Sequence, residues 1–287
     1  MEIGVTGLDG FLGSAISDNL KENGHTVVPL DTITRSAFSN DKFESYNLNT
    51  LDWVLHFGSK TSIAESKIHP FSTYENNLNA ILNAVKIAEI SNAALLFMSS
   101  FVYGTPKYLP IDENHPIQAS NPYMSSKVLA EEICSQICRI KNIPLIILRG
   151  FNIYGSNTIP GRLISDLLIA YIKNQPLAIN DPAPKRDYLY VKDFNDLILK
   201  IVLKTPIKTG VYNVGYGESY SNIEVANLLK NLTDSKQEVR VVGIKRENDI
   251  MDCSVDVRLI KETFSWSPQY SLKDGLIDIL YIKKLYQ

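Results

Sequence analysis

Residues 1–16 read MEIGVTGLDGFLGSAI, an apolar run that leads straight into Gly7, Gly10 and Gly13. A turn after a first parallel strand that must bring backbone N–H groups against a pyrophosphate needs glycine, both for that close approach and for tight packing of the following helix. Three glycines at this spacing also suit an ordinary strand-to-helix turn, so the flanking sequence decides. Ile3 to Val5 reads as a short buried strand, Ser14 to Asn23 as a helix stopped by Gly24, and His25 to Leu30 as a second strand ending at Asp31. A carboxylate at that strand end accepts hydrogen bonds from both hydroxyls of a ribose and repels a 2′-phosphate, which favours NAD over NADP, while Arg35 nearby keeps NADP as a lesser option.

Bulk properties narrow the function classes. The 287 residues are 45% hydrophobic, enough for a substantial core in one large domain or two modest ones. A net charge of −2 gives no basic excess for nucleic acid or anionic lipid, so a small-molecule partner is expected. The first residues read as a strand and not as a basic stretch before an apolar core, so no signal peptide is expected, and no apolar run reaches membrane-spanning length. Cys134, Cys138 and Cys253 are too few for a disulfide framework, and a cytoplasmic enzyme fits. Cys134 and Cys138 lie one helical turn apart without a neighbouring histidine or second pair, so they read as buried apolar side chains and no metal site is expected.

Further along, strand-like runs recur at Trp53 to Phe57, Leu95 to Met98 and Ile143 to Leu148, with a shorter one around Phe43 to Asn47. Helical patterns lie between them at about Phe71 to Ile90 and Pro122 to Ile140. Such alternation predicts an α/β fold, a Rossmann-like doubly wound parallel sheet. From about Gly155 prolines punctuate the chain around a helix near Leu163 to Lys173, followed by strands near Val211 to Val214 and Val239 to Val242 and a helix near Ile223 to Asn231. The expected division is a dinucleotide-binding domain over 1–155, to which the chain returns near 187–215, and a smaller C-terminal α/β substrate-binding lobe over 156–287, with a cleft between the two.

Two segments carry chemistry. LLFMSSFVYG (95–104) puts Ser99 just past a strand, at the carboxyl edge where such sheets bind ligands. SNPYMSSKVLAEE (120–132) puts Tyr123 and Lys127 four apart on one face at the start of a helix. Lowering a tyrosine pKa from ~10 to 7 takes roughly 4 kcal/mol in favour of the phenolate. An ammonium about 5 Å away supplies about 3 kcal/mol at an effective dielectric near 20, and an oxidised nicotinamide adds a second positive charge. Ser99 can hold the same substrate oxygen by a hydrogen bond. With 15 tyrosines present, one Tyr-x-x-x-Lys match is expected by chance, so the pair gains its weight from the serine and the glycine turn.

With these blocks in view, the chain resembles an extended short-chain dehydrogenase/reductase of the nucleotide-sugar epimerase/dehydratase family. TGLDGFLG, Asp31, HFGSKTSIAESKIHP, ENNLNAILNA, SSFVYG, NPYMSSK, LRGFNIYG, RDYLYVKDF, YNVGYGES and SWSPQYSLKDGL are similar to that family's blocks, in its order and over nearly the whole length. The resemblance implies that Gly7, Gly10, Phe11, Leu12 and Gly13 hold the pyrophosphate of NAD and Asp31 its adenosine ribose, with Asn47 where an aspartate often meets adenine. Phe57, Gly58 and Ser59 are implied beside the nicotinamide half, Tyr123 as the base, Lys127 on the nicotinamide ribose, and Ser99 at the Ser/Thr position that meets substrate. Asn152, Arg186 and Arg246 are implied to contact a nucleotide-diphosphate sugar, a role the fixed arginine fork suits, although each arginine could instead pair with Asp187 or Asp249.

Two departures bear on the reaction. The stretch between Asp31 and the His56 strand is short for the family, so a helix is expected to be missing there. Where sugar 4,6-dehydratases carry an aspartate and a glutamate this chain has Ser100 and Phe101, so water elimination lacks its carboxyl proton donor. The expected activity is that of an NAD-dependent nucleotide-sugar 4-epimerase working through a transient 4-keto-sugar. The alternatives are an NAD(P)H-dependent nucleotide-4-keto-sugar reductase using the same residues and, in another class, a non-catalytic dinucleotide-binding regulator. Helices at about Asn77 to Ile90 and Pro122 to Ile140 resemble those that pair across a family homodimer.

Overall fold

In the computed structural model the described residues are 1–39, 43, 48, 50–157, 159–245 and 249–285. The chain divides into two compact units, one of residues 1–104, 117–150 and 197–212, the other of residues 105–116, 151–196 and 213–287.

The first unit is built on β1 (Glu2–Thr6), α1 (Phe11–Glu22), β2 (Thr26–Pro29), α2 (Asp31–Thr34), β3 (Trp53–His56), α3 (Ile63–Ile68), α4 (Pro70–Ser91), β4 (Ala94–Met98), α5 (Pro122–Lys141) and β5 (Leu145–Gly150). These strands, with β9 (Gly210–Val214), form a six-stranded sheet in the order β2-β1-β3-β4-β5-β9, and the pairs β1/β2, β1/β3, β3/β4 and β4/β5 are parallel. The order reverses at β1, so the chain ends leaving β1 and β3 face the crevice where ligands bind in such sheets. This is the mostly parallel, helix-flanked Rossmann-like sheet expected from the alternating pattern. Strands buried on both faces are continuous apolar runs, and Val54, Leu95 and Ile147 pack with Ile81, Ala84 and Cys134 of the helices in one core.

Local differences from the sequence reading have identifiable causes. Helix α1 begins at Phe11, not Ser14, because Gly10 is its N-cap and Gly13 lies inside it. Asp31 opens the short helix α2 and does not end a strand. Strand β5 starts two residues later than expected, since Ile143 donates its N–H to Cys138 O as part of the α5 terminus, where Asn142 is left-handed at φ 55°. Of the strand expected around Phe43 to Asn47, only Phe43 is described, and it is buried in the core; the rest lies outside the described residues.

The second unit contains β6 (Asn152–Tyr154), α6 (Leu163–Ile172), β7 (Leu177–Ile179), β8 (Lys185–Tyr190), β10 (Ser219–Ser221), α8 (Asn222–Leu232), β11 (Val239–Val241), α9 (Arg258–Phe264) and α10 (Leu272–Ile282), while α7 (Val191–Leu203) runs from this unit into the first. β8 pairs parallel with β6 and antiparallel with β10, and β7 pairs parallel with β11. Helices α8 and α10 both start with a capping box, Ser221 with Glu224 and Ser271 with Asp274.

Inside α10, Gly275 lets the helix lie against Tyr154: a Cβ there would stand 2.1 Å from the Tyr154 hydroxyl and 3.0 Å from Tyr190 Cγ. Glycine to alanine within a helix ordinarily gains about 1 kcal/mol, whereas forced overpacking costs about 1–3 kcal/mol. Tyr154 is only 2% exposed and cannot swing into solvent, so the clash wins. Gly275→Ala should lower unfolding stability by about 1–2 kcal/mol, and a chemical-denaturation midpoint equal to or above that of the wild type would contradict this packing.

Candidate functional site

The glycine turn is closed by close backbone contact. Gly7 has φ +78°, and a Cβ on it would stand 2.8 Å from Gly58 N and 2.9 Å from Phe57 C, in the turn that leaves β3. A Cβ on Gly13 would meet Gly7 O at 2.1 Å. Both positions therefore require glycine, the first for conformation and contact, the second for contact alone. Asp31 fastens the turn from the other side, accepting the N–H of Gly7 at 2.9 Å and of Leu8 at 3.0 Å on its two carboxylate oxygens.

The donors that remain fit an anion. Among the described residues the N–H groups of Phe11, Leu12 and Gly13 bond no protein acceptor, and they open a helix of 12 residues. Three aligned donors at a positive helix end, in a cradle whose glycines admit no side chain, fit the pyrophosphate of a dinucleotide. Asn47 lies outside the described residues.

Behind the turn, Thr6 links β1 to the β3 exit. Its Oγ1 accepts the N–H of Phe57 at 3.1 Å and of Gly58 at 2.9 Å, so its own proton is directed at His56 Nδ1, 2.9 Å away. That leaves the imidazole proton on Nε2. Burial, with the nearby Lys127 charge second, pushes the His56 pKa down to about 3, so the ring is neutral.

Helix α5 brings the acid–base candidates to the same sheet edge. Asn121 caps it by accepting the N–H of Met124 at 2.9 Å, and Pro122 occupies its first turn, which sets Tyr123 at the helix entrance. Tyr123 is buried, and one turn later Lys127 is 2% exposed. The lysine Nζ donates to Ser59 Oγ at 2.7 Å and to Met98 O at 2.9 Å and stands 4.8 Å from the centre of the Phe97 ring. One ammonium thus ties the ends of β3 and β4 to α5. Ser99, the next residue, is buried; its N–H bonds Leu148 O at 2.8 Å and its hydroxyl donates to Glu131.

Glu131 was not singled out by sequence reasoning. It repeats the four-residue step of Tyr123 and Lys127, and that spacing was the available signal. Its carboxylate pairs with Arg149 at 2.7 Å, and Arg149 Nη1 also donates to the Tyr103 hydroxyl at 3.1 Å. Burial is the largest influence on Lys127, lowering its pKa to about 7 against the opposing pull of Glu131.

Asn152 and Arg186, two of the residues implied to contact substrate, belong to the second unit. Asn152 Nδ2 donates to Asp187 O at 3.1 Å. Arg186 Nη2 pairs with Asp249 at 2.6 Å and its Nη1 donates to Ile250 O at 2.5 Å, so the ion pair weighed as the alternative for this residue is formed. Asp187 does not pair with it. Its carboxylate accepts the N–H groups of Tyr216 and Gly217 at 2.6 and 2.8 Å, and burial raises its pKa to about 7. Arg246 lies outside the described residues. Cys134 and Cys138 are free and buried, and no grouping of histidine, cysteine or carboxylate among the described residues could hold a metal ion. No helix is long and apolar enough to cross a membrane among those residues.

The depressed Lys127 pKa has a stability consequence. Between about 7 in the folded chain and 10.5 in the unfolded chain, the unfolded state binds more protons, so this group makes stability rise with pH over that window. Below pH 7 both states are protonated and the folded state carries the full burial penalty. The unfolding free energy of wild type relative to Lys127→Met should therefore grow by roughly 1–2 kcal/mol from pH 7 to 9; a difference independent of pH in urea titrations would refute it.

Residues 3–215 match the NAD dependent epimerase/dehydratase family. Over 297 residues the chain is 30% identical to a putative UDP-glucose 4-epimerase of Methanocaldococcus jannaschii, covering 95% of each chain. It is 28% identical to UDP-glucuronic acid decarboxylase 3 of Arabidopsis thaliana over 96% of this chain and 87% of that one. The structure of Thermus thermophilus UDP-glucose 4-epimerase in complex with NAD superposes with a TM-score of 0.82 at 23% identity, over 96% of this chain and 97% of that chain, a likeness of fold. The family match spans most of the chain and includes the glycine turn, the β3 exit, Ser99 and the Tyr123 helix, and on that ground this protein belongs to the NAD dependent epimerase/dehydratase family.

Proposed function

We propose that the protein is an NAD-dependent 4-epimerase of a UDP-hexose. The observation that carries the reading is the first turn of α5, where Tyr123 precedes by one turn an ammonium fixed between Ser59 Oγ and Met98 O. NAD, when bound, supplies reversible hydride transfer at C4, so oxidation and reduction at one carbon leave no net redox change. The Tyr123 phenolate takes the proton of the 4-hydroxyl as the ketone forms and returns it to the same oxygen when the other epimer is made. Lys127 favours the phenolate by its charge and holds the nicotinamide ribose. Ser99 meets the same sugar oxygen by turning toward it the hydroxyl proton that it gives to Glu131 here. The glycine turn with Phe11, Leu12 and Gly13 holds the pyrophosphate, Asp31 and Asn47 the adenosine, and Phe57, Gly58 and Ser59 flank the nicotinamide. Asn152, Arg186 and Arg246 hold the substrate diphosphate, for which Arg186 must leave or share Asp249.

Support for 4-epimerisation over neighbouring reactions comes from Ser100 and Phe101, which bring no carboxyl acid beside the site, and from the relative named a putative UDP-glucose 4-epimerase. Incubating the protein with UDP-glucose, UDP-N-acetylglucosamine, UDP-glucuronate and 4-keto-sugars, with and without NADPH, separates the outcomes. Expected is interconversion of C4 epimers with no consumption of reduced cofactor. Stoichiometric loss of NADPH absorbance would instead mean a reductase, and release of carbon dioxide a decarboxylase. Tyr123→Phe should lower kcat by about a hundredfold or more while retaining NAD; unchanged turnover would remove the phenol from the mechanism.

We also propose a homodimer formed through α4 and α5. Phe71, Leu129 and Ile140 on these helices are exposed, at 89%, 44% and 71%, which is apolar surface suited to a second copy. Sedimentation as a dimer at micromolar concentration is expected, and a monomer there would exclude the pairing.

A further inference from the structure

A carboxylate in the middle of a pyrophosphate clamp works against its ligand. Asp9 lies between Leu8 and Gly10, directly before the open N-terminus of α1, where the positive helix end suits an anion. The structure answers this charge with Arg35, the C-cap of α2. Its Nη1 donates to Asp9 Oδ2 at 2.9 Å, and its Nη2 lies 3.0 Å from Asp31 Oδ1. A single guanidinium fork therefore joins the acid of the glycine turn to Asp31, the acid that opens α2.

The cation so occupied is the one whose location suits a 2′-phosphate. In dinucleotide folds the acidic residue after the second strand takes the ribose hydroxyls, and an arginine near it accommodates the phosphate that distinguishes NADP. Arg35 stands one helical turn beyond Asp31 and would fill that role if its donors were available. Instead they face two carboxylates, and the group of Asp9, Asp31 and Arg35 carries a formal charge of −1. A further dianion is disfavoured there, whereas the uncharged ribose hydroxyls of NAD are not.

We propose that Asp9 is a cofactor-specificity residue that acts by sequestering Arg35, and that this pairing, together with Asp31, makes the chain select NAD over NADP. The inference rests on the dinucleotide assignment of the glycine turn and is independent of the 4-epimerase reading. Asp9 and Arg35 have side chains 79% and 57% exposed, so their pair contributes little to stability and can be altered without unfolding the protein.

The test reads retained nucleotide, not turnover. Purified protein is equilibrated with an equimolar mixture of NAD⁺ and NADP⁺, freed of unbound nucleotide by gel filtration and denatured, and the two released nucleotides are quantified; thermal melts check each variant's fold. Wild type should retain mostly NAD. Asp9→Asn should raise the NADP-to-NAD ratio about threefold or more. Adding Arg35→Gln to that variant should return the ratio to the wild-type value or below, because no cation remains to be released. An unchanged ratio in Asp9→Asn overturns the proposal. So does a raised ratio that persists in the double variant, which would mean Asp9 acts by its own charge alone. Wild type that retains neither nucleotide would overturn the dinucleotide assignment itself, and the proposal with it.

Discussion

The absence of a side chain at position 7 governs everything downstream of β1. Because the Gly7 backbone can lie against Phe57 and Gly58, Thr6 reaches both of their N–H groups, and the β3 exit is held in the direction that presents Ser59 to Lys127. Lys127 in turn binds the carbonyl of Met98, the last residue of β4, and so locates the following Ser99 against α5. A side chain at Gly7 would thus act well beyond the glycine turn, through three strand ends and one helix. The constraint is one of backbone approach, and no polar contact elsewhere could replace it.

Around Lys127 the interior holds one guanidinium, one carboxylate and an amine whose pKa burial lowers to about 7. Lys127, Arg149 and Glu131 are each under 10% exposed. Taking charges from water is costly unless they are paired and hydrogen-bonded. Glu131 meets that demand twice, with Arg149 in direct contact and with its field at Lys127. Ser99 also bonds this carboxylate, which couples the serine to the charge balance of the whole layer.

The architecture of the first unit was legible because its strands are buried on both faces and its helices are long, so apolar runs and helical periods differ plainly along the chain. Boundaries were less legible where a residue serves a cap: Ile143 is apolar like a strand residue but closes α5, and Gly13 looks like loop but lies within α1. In the candidate site, spacing brought forward Tyr123, Lys127 and Ser99 but not their hydrogen-bond partners. Nothing in the sequence pairs Ser99 with Glu131, 32 residues away, or chooses Asp249 over the adjacent Asp187 as the partner of Arg186. Those contacts depend on which helix face meets which strand end, a property of packing and not of local pattern. The strands β6, β7 and β10 of the second unit, three residues long each, are below the length at which alternation can be recognised, whereas β11 lies in the apolar run read at Val239 to Val242.

The bond between Asp31 and the N–H groups of Gly7 and Leu8 closes a loop of chain with contacts made entirely within the protein. Glycine-rich segments have the most conformational freedom to lose, and a clamp left mobile would lose it each time a ligand arrived. Here that ordering belongs to folding and is settled once. Preorganisation of this kind strengthens ligand affinity without adding any contact to the ligand, and it lets a short apolar strand and an acid 24 residues from Gly7 act as a single rigid receptor.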